Sequence, residues 1–503
     1  MVSITSIDML AKRNMIGKDC KTNIKTVNRI EGIFLIESST GACISWELFY
    51  RKVQSWLEVF RRLKLTEQQK VAIIAENSSE LLVFYFSALI ARLVLIPVDP
   101  QKGISGINEI IEIAKPDRIF IEKPEYCTNR DPILFQPLTP STDYDKALFE
   151  KRVEESKFFA GPYLVTFTSG TTGIPKGVVH SSRNLFLSAE ALINAIPLQS
   201  NMRFYHVFPM TYMAGIINTF WIPFWASGSV LIGSRFSVSS AVQFWEDVSR
   251  YGANCFWLSP TMVSLLLKLD RGTIGIDYCK GKDIVGISAT AALPYQQQID
   301  FETKYRFPVF ESYGLSETLF NCTNGYKVQR KVNCIGKPLE KVDIKIDDDG
   351  EVLVRAPWMF LGYLNEDADS YYQGSYYRTG DLGMIDRDGH VFITGRKKDL
   401  IIRGGMNISP RKIEEFIYRE KHFEDFCVFG VEDEILGERT ICFANQERSK
   451  AENNILLKKI ISLFGSDYKI DEFVYSDSIP RNSAGKIDRN KARQLYLEKK
   501  NNL

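Results

Sequence analysis

YLVTFTSGTTGIPKG, residues 163–177, sets a short apolar run against a loop of Gly and Thr that closes on Pro175 and Lys176. The run reads as a buried strand. The following NLFLSAEALINAI puts Leu185, Ala189, Leu192 and Ile196 on one stripe, so the spacing predicts a helix. Strand, Gly-rich loop, helix is the usual arrangement for holding phosphate, because backbone N–H groups freed by glycine converge on an anion while hydroxyls and a lysine add donors and charge. It is not the common nucleoside-triphosphate loop, since Gly-Lys-Ser/Thr is absent and Pro175 precedes the lysine. The bland alternative is a flexible surface loop of small residues.

Outward from this unit the same texture continues. Runs such as VAIIAE (71–76), LVLIPV (93–98) and SVLIGS (229–234) alternate with segments of helical spacing, which predicts parallel sheets with helices on their faces. The stretch LLVFYFSALIARLVLIPV (81–98) is membrane-like until Arg92 and the flanking turn signals are counted, so it reads as a buried helix and a strand, and no integral membrane segment is expected. Residues 342–395 carry Asp348-Asp349-Gly350 and Asp386-Arg387-Asp388-Gly389 as turns between short strands, predicting a small antiparallel β subdomain. After Gly395, Ser409 and Pro410 read as N-cap and first-turn residues of a helix with Ile413, Phe416 and Ile417 on one face. A boundary near residue 398 follows, dividing a large region, 1–397, from a small α+β domain, 398–503.

Composition narrows the function classes. The 503 residues are 45% hydrophobic and 25% charged with a formal net charge of +2, which gives no electrostatic case for a nucleic-acid partner. The nine cysteines are scattered without CxxC spacing, which argues against zinc and disulfides and for a reducing compartment. The first twenty residues lack the pattern of a signal peptide, and a cytoplasmic location is expected. His180, His206, His390 and His422 share no ligand spacing and read as structural or surface histidines.

Three further stretches bear on the loop. ESYGLSET (311–318) gathers Tyr313, Gly314, Ser316 and Glu317: a face for adenine, room beneath it, a phosphate donor and an oxygen ligand for magnesium. YRTGDLG (377–383) offers Asp381 just after a tight turn, where a carboxylate accepts both hydroxyls of a ribose. PRNSAGKIDR (480–489) puts Lys486 after a glycine near the end of the chain. Alone, each has a bland reading: a core tyrosine, a turn cap, a solvated lysine. In this order they describe one nucleotide site.

Here the chain resembles the adenylate-forming superfamily of acyl-CoA synthetases, peptide-synthetase adenylation domains and luciferases. The resemblance runs from ISWELFYRKVQSWL (44–57) and NSSELLVFYFSALI (77–90) through GEVLVRAPWMFLGY (350–363) and GRKKDLIIRGGMNISPRKIEE (395–415) to PRNSAGKIDR. It implies an α/β fold: a large N-terminal region of two doubly wound α/β subdomains with a distorted β-barrel, and a small mobile α+β C-terminal domain. It implies a reaction in which a small-molecule carboxylic acid attacks Mg-ATP to give acyl-AMP and pyrophosphate, after which a thiol takes the acyl group. Thr168, Ser169, Gly170, Thr171, Thr172, Gly173 and Lys176 resemble the pyrophosphate loop. Tyr313 with Gly314 resembles the adenine platform, Ser316 the α-phosphate contact, and Glu317 with Thr168 the Mg²⁺ ligands. Asp381 and Arg396 match the ribose pair, Lys398 the hinge, Lys486 the adenylation lysine, and Gly404 and Gly405 the loop presented to the thiol.

The acyl pocket departs from the pattern. Where many relatives have P-x-x-H-x-x-G, residues 209–215 read PMTYMAG, so Tyr212 and Gly215 stand there, as pocket wall or as ordinary core. ISATAALP (287–294) replaces a Ser-Gly-rich strand, and Ser288 with Ala289, Ala291 and Ala292 leaves space for a bulky or aryl acid without requiring one. No aspartate lies at 220–225, which disfavours an α-amino acid. IIRGGMNISP is closest to ligases of fatty or aryl acids, making coenzyme A the expected acceptor. The alternatives are a carrier-protein phosphopantetheine as acceptor, and a non-catalytic nucleotide-binding member of the fold.

Overall fold

The computed structural model describes residues 32–126, 131–142, 145, 147, 159–169, 175–196, 198–325, 330–331, 334–366, 369–482 and 486–501. Two large sheets dominate them. The first has seven strands in the spatial order 362–363, 175–180, 164–169, 94–98, 70–74, 118–121, 133–134, parallel from 164–169 onward. The second has nine, in the order 337–338, 319–323, 309–315, 285–288, 255–258, 203–206, 229–232, 33–37, 43–45, parallel between 309–315 and 33–37.

The predicted apolar runs form the parallel strands because a strand covered on both faces needs apolar residues at every position. Val71, Ala72, Ile73 and Ile74 are all fully buried, as are Leu95 and Ile96. The helix Ser79–Ile90 is buried on every side from Ser79 to Leu89, which is why its sequence is membrane-like: its solvent is the rest of the protein. Among the described residues no helix is long and apolar enough to cross a membrane. All seven described cysteines are free; Cys43 is exposed and the other six are buried.

One local expectation is overturned. The strand Leu164–Ser169 is not followed directly by a helix; it turns back into a second, antiparallel strand, Pro175–His180, with Thr168 opposite Lys176. The helix begins only at Ser182, capped by the Ser181 hydroxyl, and buries Leu185, Ala189 and Leu192 as predicted. PKGVVH alternates too weakly, and follows the glycines too closely, to be told from a helix entry by pattern alone. The described residues on either side of the loop are therefore two paired strands, not a strand and a helix.

Residues 343–396 form a five-stranded antiparallel sheet. Asp381 lies inside its long strand Tyr376–Ile385 and not after a tight turn, although Gly380 takes a φ of +69° there. Beyond it, strands 401–403, 406–408, 426–433, 437–444 and 472–475 build a separate sheet. Helices Pro410–Arg419 and Lys450–Phe464 cover one face of this sheet, through Ile413, Phe416, Ile417, Leu456 and Ile460. Ala492 and Tyr496 of the last helix cover the other. Ser409 and Pro410 take the N-cap and first-turn positions as expected, but the Ser409 side chain makes no capping bond. Its hydroxyl donates to the Thr394 carbonyl at 2.7 Å, tying this helix to the strand Val391–Arg396.

Candidate active site

Both signature motifs sit where a parallel sheet turns antiparallel. Thr168 and Lys176 belong to the hairpin just described, while Ser316 and Glu317 form the turn between strands Val309–Leu315 and Leu319–Thr323. His180 joins the two hairpins. It is fully buried, and its Nε2 lies 2.6 Å from the Ser316 carbonyl, which only accepts, so Nε2 carries the proton. Burial lowers its pKa to about 4, so the ring is neutral at physiological pH and its role is positional.

Tyr313, Asp381 and Arg396 form a contact cluster. Asp381 and Arg396 face each other across neighbouring strands, with Arg396 Nε 2.8 Å from Asp381 Oδ1. The Tyr313 hydroxyl donates to the other oxygen at 2.7 Å. Asp381 is 3% exposed, so its charge is held in a dry setting by one cation and one hydroxyl.

A second network surrounds Glu317 and Lys176. Burial raises the Glu317 pKa, partly offset by the Tyr363 hydroxyl, which donates to its Oε1 at 2.9 Å. Tyr363 also meets the Tyr377 hydroxyl at 2.9 Å. Lys176 is not a free cation: its Nζ pairs with Glu366 at 2.7 Å, contacts the Tyr371 hydroxyl, and lies over the Tyr363 and Tyr371 rings. Burial pulls its pKa down, but the hydrogen bonds to Glu366 and Tyr371 win and leave it raised. A phosphate reaching Lys176 must share it with Glu366. Tyr363, Glu366, Tyr371 and Tyr377 were not read from the sequence; Glu366 lies 190 positions from Lys176, beyond any local pattern.

Lys486, near the other end of the chain, meets the Tyr212 segment. The segment around it is closed by an Arg481 to Ile487 bridge and by the Asn482 side chain accepting from Lys486 N at 3.0 Å. Arg481 donates to Thr261 at 2.9 Å and Lys268 pairs with Glu424 at 2.7 Å, docking this end of the chain on the helix Pro260–Leu269. Lys486 Nζ thereby stands 5.9 Å from the centre of the Tyr212 ring.

The remaining expected residues are dispersed around these clusters. Gly215 is where it is because the Pro209 carbonyl lies 1.8 Å from where a Cβ would be. Ser288 is buried with no partner for its hydroxyl, and Ala291 is exposed. Lys398 is exposed in the turn Lys397–Asp399. Gly404 and Gly405, with φ of +55° and +81°, make the two-residue turn between strands Ile401–Arg403 and Met406–Ile408, which requires positive φ at both positions. Ser169 ends its strand, while Gly170, Thr171, Thr172 and Gly173 lie outside the described residues.

Glu311 was not singled out, yet the fold raises its pKa strongly. It is 5% exposed, and burial raises its pKa from 4.5 to about 7, opposed in part by the Leu293 N–H. A raised acid contributes stability that is present below pH 4.5 and lost as pH rises through about 7. Glu311→Gln keeps the acceptor for Leu293 and removes that loss. The variant should gain up to about 3 kcal/mol over the wild type at pH 8 and little at pH 5 in urea unfolding. An equal difference at both pH values would assign the effect to something other than this ionisation.

Two doubly wound sheets, each ending in a motif-bearing hairpin, with a separate small sheet near the end of the chain, define the class: an α/β protein of the adenylate-forming fold. Residues 27–364 match the family described as AMP-binding enzyme, and the chain belongs to that family. It is 30% identical over 347 residues to a sulfoacetate–CoA ligase of Cupriavidus necator, covering 65% of this chain and 66% of that one. It is 28% identical over 372 residues to a malonate–CoA ligase of Arabidopsis thaliana, covering 67% and 61%. The matches thus span less than two thirds of the length of these curated relatives. Among solved structures, ATP-bound MatB from Rhodopseudomonas palustris is 22% identical with a TM-score of 0.79, covering 92% of this chain and 95% of that one, a likeness of fold.

Proposed function

We propose that the chain activates a carboxylic acid with ATP as acyl-AMP and then transfers the acyl group to a thiol, with coenzyme A as acceptor. The observation that carries this reading is Lys486 Nζ over the Tyr212 ring, 5.9 Å from its centre, on the same molecule whose Tyr313, Asp381 and Arg396 are in contact. An ammonium beside the expected acyl wall supports the reading, because the approach of a carboxylate to a triphosphate requires a positive charge near the reacting groups.

Glu317 fits a divalent cation. It is a half-buried carboxylate with one hydroxyl donor and no direct ion pair among the described residues, Arg396 reaching it only through space, which leaves an oxygen for a cation. Glu317 with Thr168 would hold Mg²⁺, which when bound neutralises part of the triphosphate charge. The chain's own groups do the rest. Asp381 and Arg396 hold the ribose, Tyr313 supports the base, and Lys176 exchanges Glu366 for a phosphate oxygen. For the second step, residues 398–503 rotate about Lys398, withdrawing Lys486 and bringing the Gly404–Gly405 turn toward the thiol. Relatives named for coenzyme A and for small acids support that acceptor and a small acid as substrate.

The test is acid-dependent exchange of labelled pyrophosphate into ATP without any thiol, over fatty, aryl, hydroxy, amino and dicarboxylic acids. Exchange with one class supports the reading and names the substrate; silence across the panel with ATP binding intact overturns it.

A further inference from the structure

The segment that follows Tyr212 carries a buried polar group with nothing to bind. Met213–Ile216 is α-helical, Ile217–Trp221 widens into a π turn, and Ile222–Trp225 returns to α. Such turns are rare and concentrate at functional sites. Within this one, Asn218 is 1% exposed, and neither its Nδ2 nor its Oδ1 has a hydrogen-bond partner among the described residues. Leaving an amide unpaired in the interior costs on the order of 1–3 kcal/mol per group, so a leucine here would serve the fold better.

Its surroundings identify the kind of group it lacks. Phe220, two positions on and close to the opposite side of the helix, packs into the cluster of Phe34, Phe49 and Phe86, so Asn218 faces away from that cluster. The turn packs against the strand Arg203–His206. At that strand's carboxyl end His206 is fully buried, with Nδ1 unpartnered. Asn77 is fixed by accepting from Met210 N at 2.8 Å and donating to Phe208 O at 2.6 Å, so it presents Nδ2 to His206 Nε2 at 3.4 Å. Nε2 then accepts and the proton sits on Nδ1. Tyr205 pairs with Phe256, which sets Trp257 beside His206 on the same face, and the Trp257 Nε1–H is also unpartnered. Three N–H donors, from Asn218, His206 and Trp257, against a single acceptor, Asn218 Oδ1, thus lie unused by the carboxyl ends of a parallel sheet, where α/β folds take their ligands.

We propose that Asn218 reads a second oxygen-bearing acceptor group, a carbonyl or an acid oxygen, on the acid that the site activates. This rests on the ligase reading above. Asn218 lies six residues beyond Tyr212, roughly 9 Å along the helix, so the acid is short. A hydrocarbon tail would leave all three donors unpaired.

Three acids of equal chain length test it in the pyrophosphate exchange: pentanoate, 4-oxopentanoate and glutarate. The wild type should prefer one of the two oxygen-bearing acids over pentanoate by about 100-fold in kcat/KM, because a site built to hydrogen-bond rejects the analogue lacking the group. Which of the two is preferred distinguishes a neutral carbonyl from an anion. Asn218→Leu should bring that ratio to within about 3-fold and raise the thermal midpoint, since it removes the unpaired amide. Wild-type preference for pentanoate, or a ratio unchanged in the variant, overturns the inference and leaves the ligase reading standing. Absence of exchange with every acid in the broader panel removes both.

Discussion

Lys486→Ala should cut acid-dependent pyrophosphate exchange by about 10²–10³-fold while thioester formation from supplied acyl-AMP stays within a few-fold of wild type. The size follows from the job assigned to the ammonium. A carboxylate and a triphosphate repel, and a positioned donor at the point where charge concentrates is worth about 3–4 kcal/mol in a site shielded from water. Lys176, the other lysine of the proposed site, does not replace it, because it pairs with Glu366 at 2.7 Å or, with nucleotide bound, is assigned to a phosphate oxygen. The second half-reaction has a different need: its leaving group, AMP, is already formed, and the rotation proposed about Lys398 takes Lys486 away. The two half-reactions must therefore part company. Equal loss in both, with the thermal midpoint preserved, would mean that Lys486 serves docking and not chemistry.

What the sequence made legible, and what it hid, divides by the range of the interactions. Strands such as Val71–Ile74 and the stripe of Leu185, Ala189 and Leu192 were legible because burial on both faces of a parallel strand, or on one face of a helix, writes itself into local apolar spacing. The sequence positions of Tyr313, Asp381 and Arg396 were legible as motifs, but not the 2.7 Å and 2.8 Å contacts that join them, since these need the cross-strand register. The hairpin Leu164–His180 was missed because a strand after a Gly-rich loop is too short to show its period. The tyrosines around Glu317 and the Glu366 partner of Lys176 left no local trace. Asn218 is the converse: a polar residue inside an apolar run, visible in the sequence but without meaning until its amide proved unpaired.

Asp381→Asn should raise the apparent KM for ATP by about 100-fold with little change in thermal midpoint. Asparagine preserves the local bonds. Its Oδ1 can accept from Arg396, and its Nδ2 can donate to the Tyr313 hydroxyl, which turns from donor to acceptor. The fold therefore loses an ion-pair charge on a half-exposed arginine, a small term. Nucleotide binding loses more, because two ribose hydroxyls are two donors: they need two acceptor oxygens on one rigid group, and asparagine offers one oxygen and a competing donor. Hydrogen bonds to a charged group are worth about 1.5–3 kcal/mol, so losing one together with the clash accounts for two decades in affinity. Tyr313→Phe removes only a hydroxyl contact with Asp381 and should shift the KM for ATP a few-fold. If Asp381→Asn left ATP dependence unchanged, the ribose would lie elsewhere; if it lowered stability and ATP affinity together, the carboxylate would be a pillar of the 343–396 sheet whose loss collapses the site indirectly.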